Sequence, residues 1–245
     1  MGNERTDGIS LNKFISQTGR CSRREADALL RDGRVTLNGE VARPGNRATD
    51  SDDVRIDGQP IGAEDAADKV YLVLNKPAGI ICTTERKIKG NIVDFVGYPE
   101  RIFPIGRLDK PSTGLILMTN DGDIVNKILR AGNQHEKEYL VSTKQTLRPD
   151  FVKKMSGGVP ILGTVTQPCP VEQMGRHQFR IILTEGMNRQ IRRMCEHLGY
   201  EVTSLERVRI MHIHLADLPR GEWRPLTSAE RDTLFKAVKH STKTA

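Results

Sequence analysis

Apolar positions along this chain change period several times, and each change marks an element. Residues 1 to about 9 are polar and carry no period. Leu11, Phe14 and Ile15 then recur at helical spacing behind Ser10, and Gly19 closes the segment. Ser22 and Glu25 stand at capping-box spacing ahead of Ala26, Leu29 and Leu30, which predicts a second helix ending at Gly33. Val35-Thr36-Leu37 and Val41 flank Asn38-Gly39, two residues that tolerate positive φ, so a tight hairpin is expected there. Val54-Arg55-Ile56 before Asp57-Gly58 reads as one more short strand. Pro60 to Asp68, rich in Ala and acids, has no period and reads as a linker. The expected organisation is a small module at 9–61, a linker at 62–68, a larger domain at 69–240 and a polar tail at 241–245.

In the larger domain, strand-like and helix-like patterns mix. Val70-Tyr71-Leu72-Val73-Leu74 predicts a strand ending in Asn75-Lys76-Pro77. Gly114 to Thr119 predicts another, turned by Asn120-Asp121-Gly122 into a helix through Ile124, Val125, Ile128 and Leu129. Tyr139-Leu140-Val141 continues the sheet, and a helix carrying Phe151, Val152 and Met155 stops at Gly157-Gly158. Phe179 to Thr184 reads as a strand, Asn188 to Leu198 as a helix, and Glu201 to Ile210 as a strand with alternating Arg. Thr227 and Glu230 open a last helix at capping-box spacing. Strands outnumber helices and do not interleave as βαβ units, so the expected fold class is α+β, with a mixed, largely antiparallel sheet flanked by helices.

Charge adds a partner class. The 245 residues carry a net charge of +7, which suits a polyanion. The excess is uneven: residues 1–66 are net −2 and residues 67–245 are net +9. Within the small module the helical stretch 11–34 is nevertheless basic, with six Lys or Arg against three acids, so that face can track phosphates. Cys21, Cys82, Cys169 and Cys195 are far apart and form no C-x-x-C pair, which argues against a zinc site or a disulfide framework. No apolar run approaches the roughly 18 residues of a membrane helix, and the polar start holds no signal-peptide core. A cytoplasmic protein without membrane contact is expected.

Two stretches carry candidate chemistry. In Phe103-Pro104-Ile105-Gly106-Arg107-Leu108-Asp109, a carboxylate sits in a Pro/Gly-bounded loop just before the apolar run Gly114 to Thr119, held by rigid structure without being buried in it. Asp109 is either a catalytic acid or the cap of the turn Asp109-Lys110-Pro111-Ser112. In the helix after Glu185-Gly186-Met187, residues Ile191, Met194, Cys195 and Leu198 share one face, Arg189 and Arg193 lie nearly opposite, and Arg192 sits at the edge. Arg192 can therefore reach sideways into a cleft and pair with a carboxylate in a bidentate way, while Arg189 and Arg193 read as surface or phosphate contacts. His212 and His214 are two apart on an expected strand, but no third ligand is near, so no metal is expected.

Two helices followed by a small sheet, with the phrases Leu11-Asn12-Lys13-Phe14-Ile15 and Val35-Thr36-Leu37-Asn38-Gly39, resemble the S4 RNA-binding domain. Asn75-Lys76-Pro77 with Gly79, Gly106-Arg107-Leu108-Asp109 with Gly114-Leu115, Lys137-Glu138-Tyr139 and Gly186 to Met194 follow in the order found in the RsuA-like pseudouridine synthases. That resemblance runs from Ser10 to about Leu234. The stretches Ala131 to Tyr139 and Gly158 to Thr166 resemble the RluF-type branch, which acts on 23S rRNA. The resemblance implies an α+β pseudouridine synthase fold behind an S4 module. It implies catalysis by Asp109 and Tyr139, with Arg192 pairing to Asp109 and Tyr139 stacking on the target base. RNA contacts are expected from Arg107, Lys76, Lys13, Arg20, Arg23, Arg24, Arg189 and Arg193, although Lys76 and Pro77 also suit a cleft floor. The implied partner is 23S rRNA, free or in an assembling large subunit, with tRNA as a further candidate and a monomer as the expected state.

The reaction breaks the uridine C1′–N1 bond, turns the base and joins C5 to C1′, with no net redox change, so no cofactor is expected. It needs an ionised carboxylate beside the ribose, either attacking C1′ or removing the C2′ proton, and the sequence leaves both routes open. The target must also be flipped out or already unpaired. The same reaction at another rRNA site or on a tRNA is the nearest alternative. A non-catalytic RNA-binding or ribosome-assembly protein is the alternative from another class, and it leaves the grouping of Asp109, Tyr139 and Arg192 unexplained.

Overall fold

A computed structural model describes residues 7–62 and 68–241. The chain divides into two compact units, Met1–Lys69 with Pro99–Arg101, and Val70–Tyr98 with Ile102–Ala245. Of the linker expected at 62–68 only Gly62 and Asp68 are described, and of the tail expected at 241–245 only Ser241.

The first unit is built from β1 (Ile9–Ser10), α1 (Leu11–Gln17), α2 (Arg23–Arg31), β2 (Val35–Leu37), β3 (Glu40–Val41), β4 (Arg47–Ala48), β5 (Val54–Ile56) and β6 (Gln59–Ile61). Helix α2 starts with the expected capping box: the Ser22 hydroxyl accepts from Glu25 N, and the Glu25 carboxylate accepts from Ser22 N. Asn38 and Gly39 both have positive φ and join β2 to β3 in a two-residue turn, as their sequence predicts. The strands pair antiparallel in the order β3-β2-β5-β6. Strand β6 takes in Pro60 and Ile61, which the sequence pattern assigns to the linker; it is an edge strand, where the missing N–H of Pro60 costs no ladder bond. Leu11, Phe14, Ile15, Ala26, Leu30, Val35 and Val54 are among the residues of its core.

The second unit contains β7 (Tyr71–Lys76), α3 (Ile92–Val96), β8 (Phe103–Ile105), β9 (Thr113–Thr119), α4 (Gly122–Leu129), β10 (Lys137–Thr143), α5 (Phe151–Ser156), β11 (Pro160–Ile161), β12 (Thr164–Val165), β13 (Val171–Gly175), β14 (Gln178–Leu183), α6 (Gln190–His197), β15 (Val202–Ile210), β16 (Ile213–His214), β17 (Trp223–Pro225) and α7 (Ser228–Val238). Among the described residues its large sheet runs β13-β14-β10-β15-β9-β7-β17, with β16 beside β15 and β8 beside β9. All pairings in it are antiparallel except β15 with β9, so the expected mixed, largely antiparallel sheet is present.

Helices cover both faces of this sheet. Leu72, Leu74, Ile116 and Met118 pack with α3, α5 and α6, whereas Tyr71, Val73, Leu115 and Leu117 pack with α4 and α7. Strands β7 and β9 are therefore buried on both faces, which is why they read as unbroken apolar runs and not as alternating ones. Strand β9 has a divided edge. Its first residues, Thr113 and Gly114, pair with β15, and its last, Leu117 to Thr119, pair with β8. The chain from β8 back to β9 therefore emerges at a fork in the sheet, and Asp109 lies in that connection.

The expected His212–His214 pair on one strand is not formed. Strand β15 ends at Ile210, Met211 takes φ of 54°, and His214 returns on β16, while His212 Nε2 lies 2.8 Å from the Glu230 carbonyl. Among the described residues no group of three His, Cys, Asp or Glu is placed to hold a metal ion.

Candidate active site

The fork opens into a cleft of about 620 Å³, within the size range of pockets that hold a small ligand. Its lining comes from the connection Gly106–Lys110 with Ser112, from β10, from the turn Glu185–Arg189, from the start of α6 and from β15. Six basic residues line it (Arg107, Lys110, Lys137, Arg189, Arg192 and Arg207) against two acids, Asp109 and Glu185. Such a positive excess attracts an anionic polymer.

The loop that carries Asp109 is fixed at several points. Gly106 has φ of 79°, and a Cβ there would meet Leu129 at 2.8 Å, so the turn out of β8 requires glycine. Leu108 is buried in the core, and its N–H donates to Cys82 Sγ at 3.4 Å. The Lys110 carbonyl accepts from Gly79 N at 2.8 Å and from Lys76 Nζ at 3.4 Å. The turn itself is closed by main chain, with Ser112 N donating to the Asp109 carbonyl at 3.0 Å. The Asp109 side chain is thus not spent as a cap and turns to Arg192, with Nε to Oδ2 at 3.6 Å.

Arg192 reaches from the edge of α6, as the helical pattern predicts, but the expected bidentate pair is not made. Its Nη2 donates to Ser112 Oγ at 3.0 Å and its Nη1 to the Val202 carbonyl at 3.5 Å. Only Nε faces the carboxylate, and it is buried without a hydrogen bond. The guanidinium bridges the loop, β15 and Asp109 because its donors diverge in a fixed fork. Burial pulls its proton affinity down, and Asp109 acts in the opposite direction.

The turn before α6 explains the other residues of that motif. The helix starts at Gln190, two residues later than expected, because Arg189 adopts φ of 51°. Gln190 is buried; its Oε1 accepts from Met187 N and its Nε2 donates to Glu185 Oε1. Arg193, expected as a phosphate contact, donates to the Asn188 carbonyl and side chain and braces the turn. Arg189 is exposed at the cleft, and so is Arg107.

Tyr139 lines the cleft from β10 with its ring also in the core. Lys76, expected among the RNA contacts, is fully buried, with Nζ donating to the Pro77, Ile80 and Lys110 carbonyls. A charge so enclosed holds the loops beneath the cleft and is out of reach of RNA, and burial pulls its proton affinity down. Lys13, Arg20, Arg23 and Arg24 lie on the first unit, with Arg20, Arg23 and Arg24 exposed. Lys137, Ser112 and Arg207 also line the cleft, a place the sequence reasoning did not give them, although it quoted Lys137 with Tyr139, Ser112 in the turn after Asp109 and the alternating Arg of β15. Burial pushes the Cys195 thiol up to about 12 and that of Cys169 up to about 11, so both stay protonated at neutral pH.

An α+β domain with a basic, carboxylate-bearing cleft at a sheet fork, preceded by a small helical and β-strand module, defines an RNA-modifying enzyme. A family model described as RNA pseudouridylate synthase matches residues 70–197, and the S4 domain model matches residues 10–54. The chain belongs to the RNA pseudouridylate synthase family, whose members are isomerases. It is similar to the dual-specificity RNA pseudouridine synthase RluF of Escherichia coli, with 55% identity over 233 residues, 95% of this chain and 80% of that one. The ribosomal large subunit pseudouridine synthase B of Bacillus subtilis is 34% identical over 239 residues, 94% of this chain and 97% of that one. A crystal structure of a pseudouridylate synthase superposes with a TM-score of 0.68 at 29% identity, covering 93% of this chain and all of that chain.

Proposed function

We propose that this pseudouridine synthase acts on one uridine of 23S rRNA, with Asp109 as the catalytic carboxylate, Tyr139 against the base and Arg192 holding Asp109. The observation that carries the reading is Asp109, clamped by main chain at the cleft and facing the Arg192 guanidinium at 3.6 Å. A carboxylate placed so can attack C1′ or take the C2′ proton, and the adjacent guanidinium holds it in place for either step. The flipped uridine enters between Tyr139 and the Asp109 loop, and Arg107 and Arg189 at the cleft hold the opened strand by its phosphates. Lys13, Arg20, Arg23 and Arg24 on the module at 9–61 supply docking to folded RNA, and residues 62–68 link it to the catalytic domain at 69–240. The enzyme works as a monomer in the cytoplasm on free or assembling rRNA; among the described residues no helix is long and apolar enough to cross a membrane.

The similarity to relatives named dual-specificity supports a second RNA substrate, which we take to be a tRNA. Mapping pseudouridine in 23S rRNA and tRNA from cells lacking the gene tests both assignments. Complementation by the wild-type gene should restore one 23S position, and complementation by Asp109→Asn should restore none. Restoration of positions only outside the 23S rRNA refutes the substrate assignment.

A further inference from the structure

Arg207 is 4% exposed and sits on β15, in register with Tyr139 of β10 on one side and Gly114 of β9 on the other. Its Nε donates to the Leu115 carbonyl at 2.7 Å, and its guanidinium carbon lies 6.0 Å from the centre of the Tyr139 ring. Its Nη2 is buried with no hydrogen-bond partner, although the residue lines the cleft. A buried charged donor left unmade is costly, so its persistence calls for a partner that arrives with the substrate. Beside it stands Lys137, itself buried, with Nζ on the His135 and Thr184 carbonyls. Burial, with Arg207 adding to it, pulls the Lys137 ammonium down to about 8, so at neutral pH it still carries most of its charge. This part of the cleft therefore holds two cations behind the ring proposed to receive the base.

We propose that Arg207 is a further catalytic residue, whose Nη2 donates to a carbonyl oxygen of the detached uracil and stabilises the charge that the base carries while it turns, with Lys137 reinforcing the field. The inference rests on the reading of Asp109 and Tyr139 given above. When the C1′–N1 bond breaks, its electron pair leaves with the base, and the negative charge spreads onto N1 and the ring carbonyl oxygens. C1′ is meanwhile satisfied either by an Asp109 oxygen or by loss of the C2′ proton to Asp109. When C5 bonds to C1′ the Asp109 oxygen leaves C1′, or Asp109 returns its proton to C2′; the C5 proton then departs and N1 gains one, so atoms and electrons balance without any co-reactant. A guanidinium already fixed by its bond to the Leu115 carbonyl costs no reorganisation at the moment the base carries its charge. The neutral ground-state carbonyl is a weaker acceptor than the anion, so Arg207 acts on kcat more than on KM.

The test is a cycle of protein and substrate changes under single-turnover conditions, with a 23S rRNA fragment carrying the mapped uridine as uridine, 2-thiouridine or 4-thiouridine. Sulfur is a poor hydrogen-bond acceptor, so replacing the oxygen that Arg207 meets removes the same interaction that Arg207→Gln removes. On uridine, Arg207→Gln should slow turnover about 100- to 1000-fold with little change in RNA binding. On one of the two thio substrates the ratio of wild type to variant should fall below about tenfold. An unchanged ratio on both thio substrates, or a variant within about threefold of wild type on uridine, overturns the proposal. Circular dichroism checks folding; should Arg207→Gln unfold, Arg207→Lys carries the same cycle with the same criterion. Asp109→Asn is run in parallel: if it stays active the reading of Asp109 fails, whereas an inactive Asp109→Asn with a flat Arg207 cycle sinks this inference alone.

Discussion

Gly114→Ala is expected to cost far more than an alanine in a strand ordinarily does. Gly114 has φ of 99°, and it is the residue through which β9 meets β15, opposite Arg207. A Cβ built there would lie 2.8 Å from the Arg207 backbone nitrogen and closer still to its carbonyl oxygen. Neither atom belongs to a side chain that can swing away, so the strands must part. The left-handed backbone costs a residue with a Cβ about 1–2 kcal/mol, and forcing the parallel pair apart adds about 1–3 kcal/mol of overpacking. Together the loss is about 2–5 kcal/mol, or about 5–15 °C in Tm for a unit of this size. The shift also moves Leu205 and Arg207, which line the cleft from β15, so turnover should fall in the part of the population that remains folded. Differential scanning calorimetry and single-turnover assays measure the two effects, with Gly132→Ala as control because nothing stands within 4 Å of its Cβ. A Gly114→Ala protein that melts within 2 °C of wild type, as the control is expected to, refutes the reasoning.

Three other outcomes follow from the geometry. Arg192→Lys should lower kcat about 10- to 100-fold, since one ammonium cannot span Asp109, Ser112 and Val202, whereas Arg193→Lys should leave kcat within a few-fold because it only loosens the Asn188 turn; equal losses in a turnover assay contradict this division. The Glu230 carboxyl is pulled down to about 2 by the Arg224 hydrogen bonds and by the capping contacts of Thr227. A depressed carboxyl contributes stability above its unfolded value, about 4.3, and loses it as pH falls towards 2. The full shift corresponds to about 3 kcal/mol and solvent screening leaves about 1, so the stability gap between wild type and Glu230→Gln in urea titrations should close between pH 4.5 and 2, and a gap constant across that window rules it out. Deleting residues 1–66 leaves a chain of +9 that should still bind RNA with steep salt dependence and modify it with raised KM and a smaller change in kcat; a folded truncation that is inactive under single turnover at saturating enzyme refutes the docking role.

What could be read in advance was what local chemistry fixes. The capping boxes at Ser22 and Thr227 and the Asn38-Gly39 turn depend on neighbours in sequence, and all three form as expected. The helical period also placed Arg192 at the edge of α6, from which it reaches Asp109. The fork in the sheet was not legible, because β8 is three residues long and its pairing with β9 is decided by what β15 leaves uncovered. Of the two readings of Lys76, an RNA contact and part of the cleft floor, the first does not fit, because three carbonyls converge to bury it. Arg207 escaped notice because the Arg residues of β15 look alike in sequence. Arg209 pairs with Glu136 and Glu138, while Arg207 is turned into the cleft by its register opposite Tyr139.

The most direct test of the account is turnover by purified Asp109→Asn on RNA bearing tritium at C5 of the mapped uridine. The amide keeps the shape of the loop, whose closure depends on main chain, and replaces the carboxyl group facing Arg192. RNA affinity should stay within a few-fold of wild type while tritium release falls below detection even with enzyme in excess. Release within tenfold of the wild-type rate contradicts the assignment of Asp109 as the catalytic carboxylate.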